Sequence, residues 1–355
     1  MKKVLILGTS IVLLLAGILR YKDYLSIPAF LNRESEQINE IEIEEKEWTQ
    51  NVSNEDMKRY VVKKDTNIIL DFQDSQEAIE YAKSVKRSVV IDLEENKWIY
   101  SSLEPFMIFT DQTIHDFKTL HEAIFYAKRN EYERVYYKEG SQVIWENTYP
   151  VKREPLHVPL IMQFPELERG CEVTSLAMLF EYNGKKIPKI QLAEEITKDT
   201  TAYQKGENGR VYYGNPYDGF VGDMYSLKKN GYGVYHGPIY ELAKNYFGEE
   251  VLDLTGLEFE DLLFYVGKGD PVWFVSNSLY RPLEESSFEI WHTPTGIVKI
   301  TKRMHAGVIT GYDENYIYVN DPLKTTSNLK LDRENFKKAW EQMGNQAIVI
   351  FNNKE

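Results

Sequence analysis

The sequence predicts an α+β fold, and three observations carry that expectation. Val173, Leu176, Ala177 and Phe180 form an apolar stripe at helical spacing that stops at Gly184. Buried-strand runs follow it at Pro271–Ser276, Met304–Gly311 and Tyr316–Asn320. Helix first and sheet later is the order of an α+β domain, not of alternating βαβ units. Upstream, the pattern 72–83 recurs at 117–128 with a constant offset of 45 residues, which adds a small duplicated α/β region.

The elements follow in chain order. Lys2 and Lys3 precede an apolar run, Val4 to Leu19, interrupted by Thr9 and Ser10. As a helix it would span roughly 24 Å, short of a hydrocarbon core of about 30 Å. Flanking Lys, Arg and Tyr can extend such a span. Residues 1–25 therefore read as an uncleaved signal anchor, with a cleaved signal peptide as the alternative. The positive-inside rule puts Lys2 and Lys3 in the cytosol and the rest outside. The expected location is the cell membrane, single-pass with the catalytic domain extracytoplasmic, or secreted if the segment is cleaved. Residues 26–65, rich in glutamate, read as an extended acidic stalk.

Residues 66–150 form the two-copy repeat module. Phe72, Ile79 and Ala82 are spaced for one helical face, as are Phe117, Ile124 and Ala127. Each copy is expected to be a short helix followed by a strand hairpin, the two burying their apolar faces against each other. The module contains no recurring titratable cluster beyond Glu77 and Glu122. It reads as a binding or spacer module for a protein or a cell-wall component. Val151 to Pro159, with two prolines, reads as a linker, and residues 155–352 as the catalytic domain.

Composition excludes several functions. The formal charge of −13 argues against a general nucleic-acid binder, which needs a basic face. The one cysteine, Cys171, excludes an intramolecular disulfide and any zinc site built from several thiolates. No P-loop, Gly-x-Ser-x-Gly elbow or zinc-protease His pair is present. His236, His292 and His305 have no local ligand spacing, so neither a metal nor an organic cofactor is expected.

The chemistry concentrates in two segments. Gln163 to Gly184 places Cys171 at a helix start, where the dipole favours thiolate. Gly170 before it leaves room for a substrate backbone. Gln163 can offer an amide N–H to an oxyanion, beside the backbone N–H of Cys171. Downstream, Lys302 to Pro322 reads as two strands around a tight turn at Asp313-Glu314 or Asp313-Glu314-Asn315. Counting outward puts His305 opposite Pro322 or Leu323, next to Asp321. With strands about 4.8 Å apart, the Asp321 carboxylate can orient the imidazole. Asn320 is the alternative orienter, on the other face by strand alternation. Nucleophile, base and orienter then come from three separate places.

Gln163, Gly170-Cys171-Glu172, His305-Ala306, Gly311-Tyr312-Asp313 and Asn320-Asp321-Pro322, in that order, resemble the papain-like cysteine peptidase superfamily. More closely, the chain resembles the stand-alone relatives of the bacteriocin-leader-processing (double-glycine) cysteine peptidases of Gram-positive bacteria. The resemblance runs from about Val158 to Phe351 and takes in Asn215 to Gly222 and Gly269-Asp270-Pro271-Val272. It implies a papain-like domain with Cys171 as nucleophile, His305 as base, Asp321 as orienter and Gln163 as oxyanion donor. The expected function is hydrolysis of a peptide amide bond in a peptide or protein substrate, by an enzyme that touches the membrane through its N-terminal segment. Acyl transfer by the same thiol, or a non-catalytic peptide or cell-wall binding module on a peptidase scaffold, are the competing readings.

Overall fold

Tyr60–Lys64 and Asn67–Phe72 open the ordered architecture as strands β1 and β2, joined by a turn at Asp65 in the left-handed region. The computed structural model describes residues 57–138, 142–148 and 153–351, which belong to one packed unit. The apolar run Val4–Leu19 and the acidic stretch up to residue 56 lie outside the described residues. Among the described residues no helix is long and apolar enough to cross a membrane.

After β2 come α1 (Ser75–Lys83), β3 (Ser88–Asp92) and β4 (Lys97–Ser101). The second copy has β5 (Phe106–Phe109), β6 (Ile114–Phe117), α2 (Leu120–Arg129), β7 (Arg134–Tyr137) and β8 (Gln142–Glu146). Both make a four-stranded sheet in the same order, β2-β1-β3-β4 and β6-β5-β7-β8. Each helix starts on a side-chain cap. Asp74 accepts from the backbone of Gln76 and Glu77, and Thr119 with Glu122 forms a capping box.

Two expectations for this region need correction. A strand hairpin precedes each helix, so Phe72 and Phe117 end strands and do not lie on a helical face. The copies also do not bury their helices against each other. They meet through Arg87 with Asp116, Thr113 with Asp65 (3.1 Å) and the edge-on rings of Trp98 and Phe109.

The segment read as a linker is tied down from residue 153 onward. Arg153 and Tyr312 exchange backbone hydrogen bonds, and the Leu156 N–H donates to the Thr310 carbonyl. Leu156 and Val158 are buried with Met178 and Val308. Next come α3 (Cys171–Tyr182), α4 (Lys189–Glu195), β9 (Lys198–Asp199), β10 (Gln204–Lys205), β11 (Val211–Tyr212) and β12 (Phe220–Val221). They are followed by α5 (His236–Phe247), β13 (Val251–Asp253), α6 (Phe259–Lys268), β14 (Val272–Asn277), β15 (Glu289–Thr293) and β16 (Gly296–Ile300). The chain closes with β17 (Met304–Tyr312), β18 (Tyr316–Asn320), β19 (Leu329–Asp332), α7 (Arg333–Gln342) and β20 (Ala347–Ile350).

The backbone of this region is a six-stranded antiparallel sheet, β13-β20-β14-β17-β18-β19. β14 and β17 are buried on both faces, with α3 among the residues on one side and α6 and α7 among those on the other. A buried central strand cannot expose a solvated face, which explains why these runs read as continuously apolar. A second sheet, β10-β11-β15-β16, borders the site, with Trp291 of β15 reaching the cavity there.

Candidate active site

Helix α3 begins at Cys171 on an N-cap, Gly170, that makes no side-chain cap. A Cβ at Gly170 would lie 2.5 Å from the Cβ of Leu167. The space expected to admit a substrate backbone is therefore filled by Leu167. The helix is buried all round from Cys171 to Phe180, including Glu172, Thr174 and Ser175, so the sequence stripe shows only part of its covered surface.

Strand β17 supplies His305, and the loop after β18 supplies Asp321. Val308 faces Asn320 and Ile309 faces Val319, a register that places His305 across from residue 323. The His305 Nε2 lies 2.7 Å from Oδ1 of Asp321, and both side chains are almost wholly buried. A carboxylate there fixes the hydrogen on Nε2 and leaves Nδ1 as the imidazole's lone-pair nitrogen. Asp321 also accepts from the Leu323 N–H (2.8 Å) and the Tyr280 hydroxyl (2.9 Å). Hydrogen bonding to His305 and Leu323, with the charge of His305, outweighs burial and holds the Asp321 carboxyl below its usual range. Asn320 points the other way, donating to the Val158 carbonyl and accepting from the Asn328 N–H.

Cys171 is 7% exposed and shares a cavity of about 680 Å³ with His305, Gln163 and Trp291. Its Sγ sits 3.3 Å from Oε2 of Glu172, and the Ala306 N–H points to the sulfur. Burial, followed by the Glu172 carboxylate, pushes the thiol well above its usual range. The expectation that the helix start favours thiolate is thus overridden by burial and, after it, by the adjacent carboxylate.

Gln163 is buried on the same cavity wall. Its Nε2 donates to the Glu168 carbonyl at 3.2 Å, which leaves one amide hydrogen for another acceptor. Its backbone N–H donates to the carbonyl of Pro322, next to Asp321. The rim combines exposed Phe164, Leu227 and Leu323 with Lys228, Lys229 and Lys302. Lys229 is paired with Asp223 and Lys302 with Glu289.

Sequence reasoning passed over two residues here. Tyr280 stands at a positive φ of 52°, an unusual place for a bulky residue, with its hydroxyl on Asp321. One tyrosine among 25 carries no local signal of that role. Glu172 stands beside Cys171 in sequence, but only the fold shows that its carboxylate turns inward.

The region that holds this arrangement resembles known proteins. Residues 155–348 match the model of the Peptidase_C39 like family. The chain is 44% identical over 199 residues to the uncharacterized protein YvpB of Bacillus subtilis (strain 168), an overlap covering 56% of this chain and 76% of that one. It is also similar, at 44% identity and a TM-score of 0.53, to the crystal structure of a C39-like peptidase from Bacillus anthracis, covering 57% of this chain and 99% of that one. Matched over more than half its length by the family model, and with 44% identity to both relatives, the chain belongs to the Peptidase_C39 like family, a papain-like peptidase group.

Proposed function

We propose that the protein is an extracytoplasmic cysteine peptidase that hydrolyses a peptide amide bond through Cys171, His305 and Asp321. The observation that supports this most is the single cavity onto which Cys171, His305 and Gln163 open, with His305 held from behind by the buried Asp321. Nδ1 of His305 takes the thiol proton as sulfur attacks the carbonyl carbon. The Cys171 backbone N–H and the free Gln163 amide hydrogen receive the oxyanion. Collapse expels the amine, which leaves with the proton from His305. Water, deprotonated by His305, then releases the acyl group from sulfur. Asp321 stays ionised and stabilises the imidazolium, and Tyr280 and the Leu323 N–H keep it in place.

The substrate is a peptide or protein segment, and the kinship is with the stand-alone relatives of leader-processing peptidases. The N-terminal apolar run serves as the membrane segment, and the repeat module contacts a protein or a cell-wall component. A peptide library digest and labelling by a thiol-reactive peptide electrophile test the reading. His305→Ala should slow both by about 10²–10⁴-fold, and Cys171→Ser should abolish turnover while the chain stays folded. Equal labelling of wild type and His305→Ala would reject the mechanism.

A further inference from the structure

The mechanism above has no use for the carboxyl group of Glu172, yet that group touches the nucleophile. Glu172 is 1% exposed. Its Oε1 accepts the Val234 N–H at 2.8 Å, and its Oε2 faces the Cys171 sulfur at 3.3 Å. Its backbone carbonyl accepts from Nε1 of Trp273 at 3.0 Å, which anchors the start of α3 to β14. A Cβ on Gly233 would lie 2.2 Å from Oε1, so the backbone there is brought directly against the carboxyl group. A purely structural buried carboxylate is normally surrounded by strong donors. Here the carboxyl group meets the N–H groups of Val234 and of Glu172 itself, and its Oε2 faces a thiol, among the weakest donors in a protein.

We propose that Glu172 is a positioning residue that decides the protonation state of Cys171. This rests on the cysteine-nucleophile reading. With Glu172 ionised, Sγ–H donates to Oε2 and Cys171 is held as a thiol. When Glu172 takes up one proton from solvent, its O–H donates to sulfur, and the thiol proton passes to Nδ1 of His305. The result is a neutral Glu172 beside a thiolate–imidazolium pair. One proton is gained overall, and the only bond broken is S–H.

The surroundings agree. Around Glu172 stand Cys171 on its own helix, His305 on β17, and Tyr232 and Tyr235 on the segment before α5, their hydroxyls 2.9 Å apart. Behind Cys171 are Asp321 and Tyr280. None of the hydrogen-bond partners of the carboxyl group, the N–H groups of Val234 and Glu172 and the Cys171 thiol, is cationic. Burial accordingly pushes Glu172 up to about 7, against the lowering from the Val234 N–H. The resting thiol is thus released as the surroundings turn mildly acidic.

Glu172→Gln tests this directly. The Val234 N–H must be met by the amide oxygen, so the amide nitrogen is turned toward sulfur at every pH and imitates the protonated carboxyl. Alkylation of Cys171 in the full chain by iodoacetamide is followed from pH 5 to 9. Between pH 6 and 8 the ratio of variant to wild-type rate should rise about tenfold, because only the wild type acquires the anion. Parallel profiles within about twofold would overturn the proposal. A second measurement needs no variant at that position. Cys171 is the chain's one thiol, so ultraviolet thiolate absorbance, with Cys171→Ser as the blank, reads it alone. A signal that falls as pH rises through neutrality supports the proposal, and a signal that only rises overturns it. Failure of the peptidase reading looks different: Cys171 would then react no faster with His305 present than with His305→Ala, whatever the shape of the profile.

Discussion

The two copies of the repeat have the same strand order and the same helix, but their cores have different owners. The first copy has a small core of its own, Val62, Ala78, Ala82 and Val90, with half-buried Phe72, Ile79 and Tyr81 around it. The second has none to itself. Leu120, Ile124, Val135, Ile144 and Trp145 share one continuous core with Leu262, Phe264 and Val266 of α6 and with Phe274 and Ile309 of the six-stranded sheet. Equivalent positions diverge accordingly. Lys83 forms an exposed pair with Glu80 on its own helix, whereas Lys128, 45 residues later, reaches the buried Asp261 of α6 at 2.8 Å. Tyr100 is partly exposed, as is Trp98 on the same strand, while Trp145, 45 residues after Tyr100, is fully buried with its Nε1 donating to Asp261 at 3.1 Å. Local sequence similarity therefore specifies the unit, and the neighbouring surface decides whether that unit is a satellite or part of the main core.

The largest separation of the copies should come from their tryptophans. Trp145→Ala removes a buried ring and a donor to Asp261, and should lower the stability of the C39-like region by about 3–5 kcal/mol. Trp98→Ala should cost about 1 kcal/mol and leave Cys171 labelling untouched. Urea unfolding followed by tryptophan fluorescence and by labelling checks both, and equal losses would erase the distinction. The lysines give a smaller contrast. Lys128→Met should cost about 1–2 kcal/mol, and Lys83→Met should leave the melting temperature where it was.

Acid should produce the smallest effect. Arg59 holds the Asp92 carboxyl of the first copy below its usual range through their hydrogen bonds. The folded value lies below the unfolded one, so this contribution is fully present above the unfolded carboxylate range and is lost as pH falls through the folded value. Amides of β1 and β3 should lose protection from hydrogen exchange in strong acid before those of β7. Simultaneous loss would show the copies to be one cooperative block.

Much of the site was legible because it depends on short-range geometry. Apolar residues at 173, 176, 177 and 180 call for a helix, and that helix starts at Cys171. The short turn after Asp313 sets the β17–β18 register, and alternation then sends Asp321 and Asn320 to opposite faces. A bulge between Ile309 and Gly311 shifts only the far end of the ladder. What escaped detection depends on distant partners. Glu172 turns inward because Val234, sixty-two positions away, offers an N–H. The hairpins before each repeat helix were missed because strands of four to six residues, such as β5 and β2, carry little periodic signal. The fate of the second copy depends on Asp261, which no reading of the repeat alone could supply.

The smallness of the first copy's core has a mechanical consequence. A pull on the chain from its N-terminal side loads β1 first, and β1 lies between β2 and β3 over a cluster of four fully buried apolar side chains, with Val61 and Val89 buried outside that cluster. That copy should yield while the second, built into the core of the C39-like region, still holds. Unravelling residues 60 to 101 would pay out about 140 Å of extended chain. The chain would then lengthen under tension while the geometry at Cys171 stays unstretched. Optical-trap extension traces should show this as an early low-force step, separate from a later high-force rupture.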